Sequence, residues 1–203
     1  MKRIYYILVG IIVIAIVTSV LVTQVFTQQP KLKGYVFNPP LDTSDFILYD
    51  QNNQTIEFNQ FYGKVIAMSF VYVNCPNVCP VIIRYFVQVA KTLNSEGYSD
   101  KYVMLLISVD PERDQLQAKA YLEKLGAPSN IHYLVGPASS LKSVWNAYGI
   151  YVEKDGSGEN YTVTHTAIVF VIDKELRRVA SFGDPTSLVN QWTPNDLLND
   201  MVI

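Results

Sequence analysis

The chain has only two cysteines and two histidines among its 203 residues. Two cysteines are too few for a disulfide-stabilised scaffold, and these four residues are not spaced as the close pairs of a zinc finger. The formal net charge of -2 excludes a nucleic-acid binder that acts through bulk positive charge. Hydrophobic residues make up 49% of the chain, which excludes a disordered protein. What remains is one ordinary folded domain with an additional apolar segment.

The apolar segment lies at the N-terminus, where residues 4–30 carry no charge. Residues 4–25 are dominated by Ile, Val and Leu, and this length is enough for a helix of about 20 residues to cross a bilayer. A cleaved signal peptide would have a shorter apolar run and a small-x-small cleavage site, and neither is clear around Thr18–Ser19. Because Lys2 and Arg3 precede the span, we expect a cytoplasmic N-terminus.

The predicted organisation is therefore a single-pass anchor in the cell membrane at residues 1–28, a tether at 29–38 and an extracytoplasmic domain at 39–203. Pro30 and Gly34 are typical of a tether. No nucleic-acid partner is expected. Two glycosylation sequons, at Asn53 and Asn160, occur in turn-like segments outside the predicted membrane span.

The predicted domain alternates short apolar strands with amphipathic helices. In chain order the pattern predicts a hairpin at residues 46–58, a buried strand at 65–73, a helix at 81–93, a strand at 102–109, a helix at 111–125, a strand at 131–135, a helix at 139–148, strands at 164–172 and 176–182, and a helix at 193–201. This alternation predicts an α/β domain with a mixed central sheet flanked by helices. In such a fold the chemistry gathers at the carboxyl ends of the parallel strands.

Both cysteines follow one of these strands, in the sequence Asn-Cys-Pro-Asn-Val-Cys-Pro at residues 74–80. A helix that begins near the motif would favour thiolates through its N-terminal N–H groups and dipole. Cys75 and Cys79 are four positions apart, so on a helix they share one face and can either bind one metal or close a disulfide. If Pro80 occupies the first helical position, the motif lies in a loop instead. An inert disulfide would close a very short loop and stabilise little, so we expect a redox-active dithiol.

The chain resembles the Sco/SenC family in four segments. They are Phe46 through Gly63-Lys64-Val65, residues 74–80, Ser108 to Asp114, and Thr164-His165-Thr166. The resemblance covers the external domain and implies a thioredoxin-like fold on a membrane anchor. It implies that Cys75, Cys79 and His165 bind one copper ion. The implied partner is subunit II of cytochrome c oxidase, whose binuclear copper centre such proteins help to assemble by donating copper, by reducing its cysteines, or both.

The residue types are consistent with copper. Thiolates suit Cu(I) and imidazole accepts both Cu(I) and Cu(II), whereas Asp110 and Asp114 do not supply the carboxylate cluster that a hard cation needs. The alternative is a membrane-anchored thiol-disulfide reductase that uses the same dithiol. Thioredoxin-type enzymes carry a cis-proline beside the cysteines, but residues 161–173 contain no proline. The histidine in that region favours a metal site over general disulfide exchange.

The remaining polar residues near these motifs have simpler interpretations. A lone histidine beside an apolar strand is usually a packed residue, which is the alternative to a ligand role for His165 and our interpretation of His132. Asp110 precedes Pro111 and reads as a helix N-cap, with a supporting role near the cysteines as the alternative. Arg113 and Asp114 read as surface charges in the first turn of that helix.

Two positions depart from the family pattern. The family often has an acidic residue between the cysteines, where this chain has Asn77, and an aspartate before the histidine, where this chain has Thr164. The missing carboxylates remove negative charge near the site, which is expected to weaken Cu(II) binding or raise the reduction potential. No ligand is lost.

Overall fold

The computed structural model describes residues 2–27, 31–158 and 160–202. The chain divides into two units, Met1–Lys31 and Leu32–Ile203.

The first unit contains one helix, α1 (Lys2–Thr27), and its described side chains are mostly exposed. This helix covers the membrane span predicted at residues 4–25, but the side chains of residues 20–25 lie outside the described residues. Among the described residues, no helix is found that is long and apolar enough to cross a membrane.

The second unit contains four described helices and ten strands. The helices are α2 (Val78–Ser95), α3 (Pro111–Lys124), α4 (Ala138–Ala147) and α5 (Pro194–Met201), with a 3₁₀ turn at Phe58–Phe61. The strands are β1 (Tyr35–Asp42), β2 (Ile47–Tyr49), β3 (Thr55–Glu57), β4 (Val65–Val71), β5 (Tyr102–Ser108), β6 (Ile131–Leu134), β7 (Val152–Ser157), β8 (Asn160–His165), β9 (Val169–Ile172) and β10 (Arg177–Phe182).

Six strands form one mixed sheet in the order β1-β10-β9-β4-β5-β6. Strands β4, β5 and β6 are parallel, while β9 is antiparallel to β4 and β10 is antiparallel to β9. The mixed sheet confirms the predicted α/β class. Val71 pairs with Ser108, so the segments that follow β4 and β5 leave the sheet at the same edge. The cysteines and the start of α3 are thereby brought to one place.

The centre of the sheet forms the core. Every residue of β4 and β5 is buried, as expected for strands covered on both faces. The near-continuous apolar runs that predicted strands at residues 65–73 and 102–109 have this physical cause, and both predictions are confirmed to within two residues.

The single strand predicted at residues 164–172 is wrong, because this segment belongs to two different sheets. β8 pairs with β7 in a separate two-stranded sheet, and β9 pairs with β4 and β10 in the central sheet. Residues 166–168 connect them. The apolar run from Ala167 to Ile172 conceals this change of sheet. His165 therefore ends a strand of the hairpin and does not begin a strand of the central sheet.

The tether predicted at residues 29–38 overlaps β1 from Tyr35 onward, while residues 29 and 30 lie outside the described residues. β1 is an exposed edge strand, so it lacks the apolar pattern that identifies a buried strand. Its register with β10 shifts between Val36 and Leu41, on either side of Pro39-Pro40. Proline has no N–H to give to the ladder, which explains why the pairing is interrupted there.

Helix α2 begins at Val78, three residues before the predicted start at residue 81. Cys79 and Pro80 both lie in its first turn, where backbone N–H groups have no intrahelical partner and proline is tolerated. At the other end, Gly97 has a φ of 84° and the N–H of Tyr98 donates to the carbonyl of Leu93 at 2.9 Å. This left-handed glycine ends the helix as predicted.

Of the two predicted sequons, Asn53 lies exposed in the turn between β2 and β3. The side chain of Asn160 lies outside the described residues.

Candidate metal centre

The segment after β4 holds Cys75 against the first turn of α2. The N–H of Cys75 donates to the carbonyl of Tyr72 at 3.3 Å, which folds the segment into a turn. The N–H of Cys79 then donates to the Cys75 sulfur at 3.4 Å. Cys75 is 8% exposed, Cys79 is fully buried, and both are free thiols rather than a disulfide. One cysteine therefore caps the helix that carries the other.

His165 reaches the dithiol from the end of β8. Its Nε2 lies 3.2 Å from the Cys79 sulfur, and its Nδ1 lies 3.0 Å from the carbonyl oxygen of Thr166. A carbonyl oxygen can only accept, so Nδ1 carries the hydrogen of that bond. Nδ1 is thereby occupied, which leaves Nε2 as the nitrogen that faces the sulfur and can bind a metal.

The three side chains form one group of candidate ligands. The two sulfurs and a ring nitrogen of His165 all lie within 4.8 Å of one another. Two soft sulfurs and one imidazole are a donor set that suits copper. The site residues predicted from the sequence, Cys75, Cys79 and His165, are thus brought together, whereas His132 is not part of the group.

The two thiols differ in their pKa values. The hydrogen bond from Cys79 lowers the pKa of Cys75 to about 4 against the opposing effect of burial, and the N–H groups of Asn77 and Cys79 lower it further. The same hydrogen bond raises the pKa of Cys79, because a thiol that donates to a thiolate holds its proton more firmly, and burial acts in the same direction. The reduced pair is therefore one thiolate, on Cys75, and one thiol.

This asymmetry predicts that the reduced, metal-free protein keeps one thiolate far below neutral pH. We expect thiolate absorbance at 240 nm to persist on acidification to about pH 5 and to disappear near pH 4. In C79A the donor is lost, so the absorbance of Cys75 should disappear at a higher pH. In C75A the remaining thiol should not ionise at neutral pH. Loss of the wild-type absorbance near pH 8.5, the value of a free cysteine, would contradict the assignment.

Behind the ligands lie aromatic and charged residues that the sequence did not mark as part of the site. The ring of Tyr72 stands edge-on to that of His165, with centroids 5.7 Å apart and an interplanar angle of 81°. Its hydroxyl accepts a hydrogen bond from the N–H of Val163 in β8 at 3.4 Å. An aromatic residue at the end of a buried strand is usually core, so the pattern gave no reason to select Tyr72.

Asp110 occupies the N-cap position of α3, but its side chain does not cap the helix. One carboxylate oxygen accepts from Nε of Arg113, and the other accepts from the hydroxyl of Tyr161 at 2.6 Å. The predicted capping role of the side chain is therefore wrong. Asp110 is directed at Arg113 and at β8, the strand that carries His165.

Arg113 and Asp114 are not surface charges as predicted. Asp114 is fully buried and accepts hydrogen bonds from the N–H of Val73 at 2.9 Å and from the hydroxyls of Ser108 at 2.6 Å and Tyr133 at 2.8 Å. Burial raises its pKa to about 6. Acidic residues in a first helical turn are usually solvated, and the burial here depends on neighbours that are distant in sequence.

The remaining predictions concern residues away from the ligands. His132 lies in β6, with Nδ1 3.6 Å from a carboxylate oxygen of Asp50, which is consistent with a structural role. Asn77 is exposed at the start of α2. The hydroxyl of Thr164 donates to Asp155 of β7 at 2.8 Å. Positions 77 and 164, the two departures from the family pattern, therefore both lack the carboxylate that the family often has there.

Comparison with known proteins identifies relatives over most of the chain. The SCO1/SenC family model matches residues 38–191. The human mitochondrial protein SCO1 homolog is 29% identical over 147 residues, which are 71% of this chain and 48% of that protein. The chain spans about half the length of the curated relatives it matches first.

Several solved structures are similar to this fold. The copper-bound structure of Bradyrhizobium japonicum ScoI is 28% identical and has a TM-score of 0.68, and the match covers 79% of this chain and 98% of that one. BsSco, described with a disulfide switch and as a member of the Sco family of cytochrome c oxidase assembly proteins, is 18% identical with a TM-score of 0.65 over 83% and 96% of the two chains. These likenesses confirm the thioredoxin-like α/β fold. The chain belongs to the SCO1/SenC family.

Proposed function

We propose that this protein is a copper-binding assembly factor that holds copper through Cys75, Cys79 and His165 and passes it on as cargo. The observation that carries the proposal is the convergence of two sulfurs and an imidazole nitrogen within 4.8 Å. The Nδ1 of the imidazole is hydrogen-bonded to a backbone carbonyl, so Nε2 is the nitrogen available to bind the metal. The copper-bound relative from Bradyrhizobium japonicum supports the choice of metal.

We further propose that the acceptor is the binuclear copper centre of cytochrome c oxidase subunit II. A relative described as a cytochrome c oxidase assembly protein supports the oxidase, and the choice of subunit II rests on the resemblance of the motifs. Three donors leave a coordination position at which a thiolate of the acceptor can bind before the donor releases the metal. His165 is half-buried and Cys75 is slightly exposed, so an acceptor would approach the copper from their side.

We place the domain outside a cell membrane, held by the N-terminal segment with its N-terminus in the cytoplasm. Support comes from the sequence, in which residues 4–30 carry no charge and Lys2 and Arg3 precede them. In this arrangement the linker ends where β1 begins at Tyr35.

The alternative function, a membrane-anchored thiol-disulfide reductase, would use Cys75 as the attacking thiolate and Cys79 as the resolving thiol. Disulfide exchange of this kind needs no histidine ligand. The placement of Nε2 of His165 at 3.2 Å from the Cys79 sulfur therefore favours the copper function.

The H165A variant separates the two functions. We expect its Cu(I) affinity to fall by at least about tenfold, as measured by competition with a chelator on the reduced full-length protein. Loss of a residue that only hydrogen-bonds to a metal ligand already costs about tenfold or more, and loss of the ligand itself should cost at least as much. Its rate of glutathione disulfide reduction should be largely unchanged, because the dithiol is intact.

The matched control is H132A, which removes the other histidine and should bind copper as the wild type does. If the wild type fails to compete with the chelator at all, the copper function is wrong. If H165A and the wild type bind equally, only the assignment of His165 as a ligand is wrong.

A further inference from the structure

His165 ends a hairpin that is not part of the central sheet and that residues 166–168 connect to β9. In the described part of the chain, β7 and β8 pair only with each other, from Val152 opposite His165 to Ser157 opposite Asn160. No backbone ladder therefore fixes this hairpin relative to the strand that leads to the cysteines. Besides the short connection to β9, side-chain contacts hold the imidazole next to the Cys79 sulfur.

Several of these contacts join Tyr161 of β8 to the start of α3. The Tyr161 hydroxyl donates to Asp110 at 2.6 Å, and its backbone carbonyl accepts from Nη1 of Arg113 at 3.1 Å. The Arg113 guanidinium also lies over the Tyr161 ring, with Cζ 3.8 Å from the centroid. Asp110 and Arg113 are themselves joined through Nε. One strand residue is thus held at its ring, its hydroxyl and its carbonyl.

The same arginine lies beside the segment that carries Cys75. Its guanidinium is 5.9 Å from the ring centroid of Tyr72, and Tyr72 in turn contacts the His165 ring. The side chain of Arg113 is 20% exposed and that of Asp110 is 3% exposed, so the ion pair is largely shielded from water. Contacts of this kind are stronger than those of a surface pair.

We infer that Arg113 is a positioning residue for the metal centre, acting through Tyr161 to hold His165 within reach of the cysteines. This inference rests on the proposed copper function. Arg113 does not touch the candidate ligands in any contact described above. Its planar fork serves the carboxylate of Asp110 and the carbonyl of Tyr161 at once, which a lysine ammonium on a single flexible stem cannot reproduce.

The test compares R113M and R113K in the wild-type and H165A backgrounds, with Cu(I) affinity of the full-length reduced protein measured by chelator competition. In the wild-type background we expect R113M to lower the affinity by about tenfold or more, the usual effect of removing an outer partner of a ligand. The affinity of R113K should fall equally, because lysine keeps the positive charge but lacks the planar guanidinium. In the H165A background, both substitutions should change the affinity by less than about twofold, because Arg113 has no histidine left to position. A twofold change is within the error of additivity for independent sites.

Arg178 provides a matched control for the loss of an arginine that stacks on a tyrosine. Its guanidinium lies 5.3 Å from the Tyr148 ring centroid, and it donates to the carbonyl of Asp42. R178M should bind copper as the wild type does. Should R113M fail to fold, Y161F replaces it, since it removes only the hydroxyl that Asp110 accepts and should lower the affinity only where His165 is present.

Three results would overturn the inference. They are an equal loss in both backgrounds, no loss in either, or full recovery of affinity in R113K, which would make charge rather than position the cause. These results differ from failure of the proposed function, in which the wild type itself would not bind copper.

Discussion

Replacing Cys79 with serine is expected to lower Cu(I) affinity by more than about a hundredfold, beyond the 10–100-fold that loss of an outer partner brings. The sulfur is the soft donor that Cu(I) prefers, and a hydroxyl oxygen is a poor substitute. C79S is more informative than C79A, because the serine hydroxyl can still donate to Cys75 and so preserves the polarity of the pair. The variant separates ligation from the control of the Cys75 pKa.

C75S is expected to lose copper to a similar extent, since it removes the sulfur that is already a thiolate in the reduced protein. The measurements are copper stoichiometry after gel filtration and competition with a Cu(I) chelator, with H132A as the control. Retention of one equivalent of copper by C79S under competition would show that the dithiol is not the binding site.

The D114A substitution is expected to lower the free energy of unfolding by about 2–4 kcal/mol, because it leaves without an acceptor the hydrogen-bond donors that the carboxylate now satisfies. The donors are the N–H of Val73 and the hydroxyls of Ser108 and Tyr133. The Val73 bond ties the cysteine-bearing segment to α3. Urea unfolding measures the change. D100A is the control, since Asp100 is exposed and should change stability by no more than about 0.5 kcal/mol.

Asp114 also gives the stability a pH dependence whose direction follows from its raised pKa. The folded protein holds the Asp114 proton up to about pH 6, whereas the unfolded chain releases it near pH 4. Between these values the folded state binds more protons, so the contribution of Asp114 falls as the pH rises, by roughly 3 kcal/mol in all. This pH-dependent part is complete below pH 4 and lost above pH 6, whereas the hydrogen bonds to the carboxylate persist.

The D114N variant cannot release a proton, so its free energy of unfolding should lack this decline. Subtracting its pH profile from that of the wild type removes the contributions of the other carboxylates. A difference that stays flat from pH 4 to 6 would mean that Asp114 is ionised throughout, contrary to its fully buried position.

The buried part of the fold could be predicted from the sequence, whereas the exposed part could not. β4 and β5 are apolar throughout because both faces are covered, and this pattern is unambiguous in the sequence. β7 and β8 are mostly polar and, among the described residues, pair only with each other, so they have no such pattern. β1 is an exposed edge strand without an apolar pattern, so the sequence does not distinguish its first residues, 35–38, from a linker.

The same division applies to the candidate site. The cysteines and His165 could be found because few residue types bind copper and because their motifs resemble a family. Tyr72, Arg113 and Asp114 could not be assigned to the site, because each of them also depends on a partner 19 to 91 positions away along the chain. Local sequence describes such residues only as core aromatic or surface charge.

The two prolines of β1 also affect whether the sheets of two molecules can pair edge to edge. Proline has no N–H, so Pro39 and Pro40 leave two consecutive positions of this edge strand without a backbone donor. The open side of β1 is the outer edge of the six-stranded sheet. An edge with a missing donor is a poor template for a strand from a second molecule. The prolines thereby discourage the sheets of two molecules from joining edge to edge.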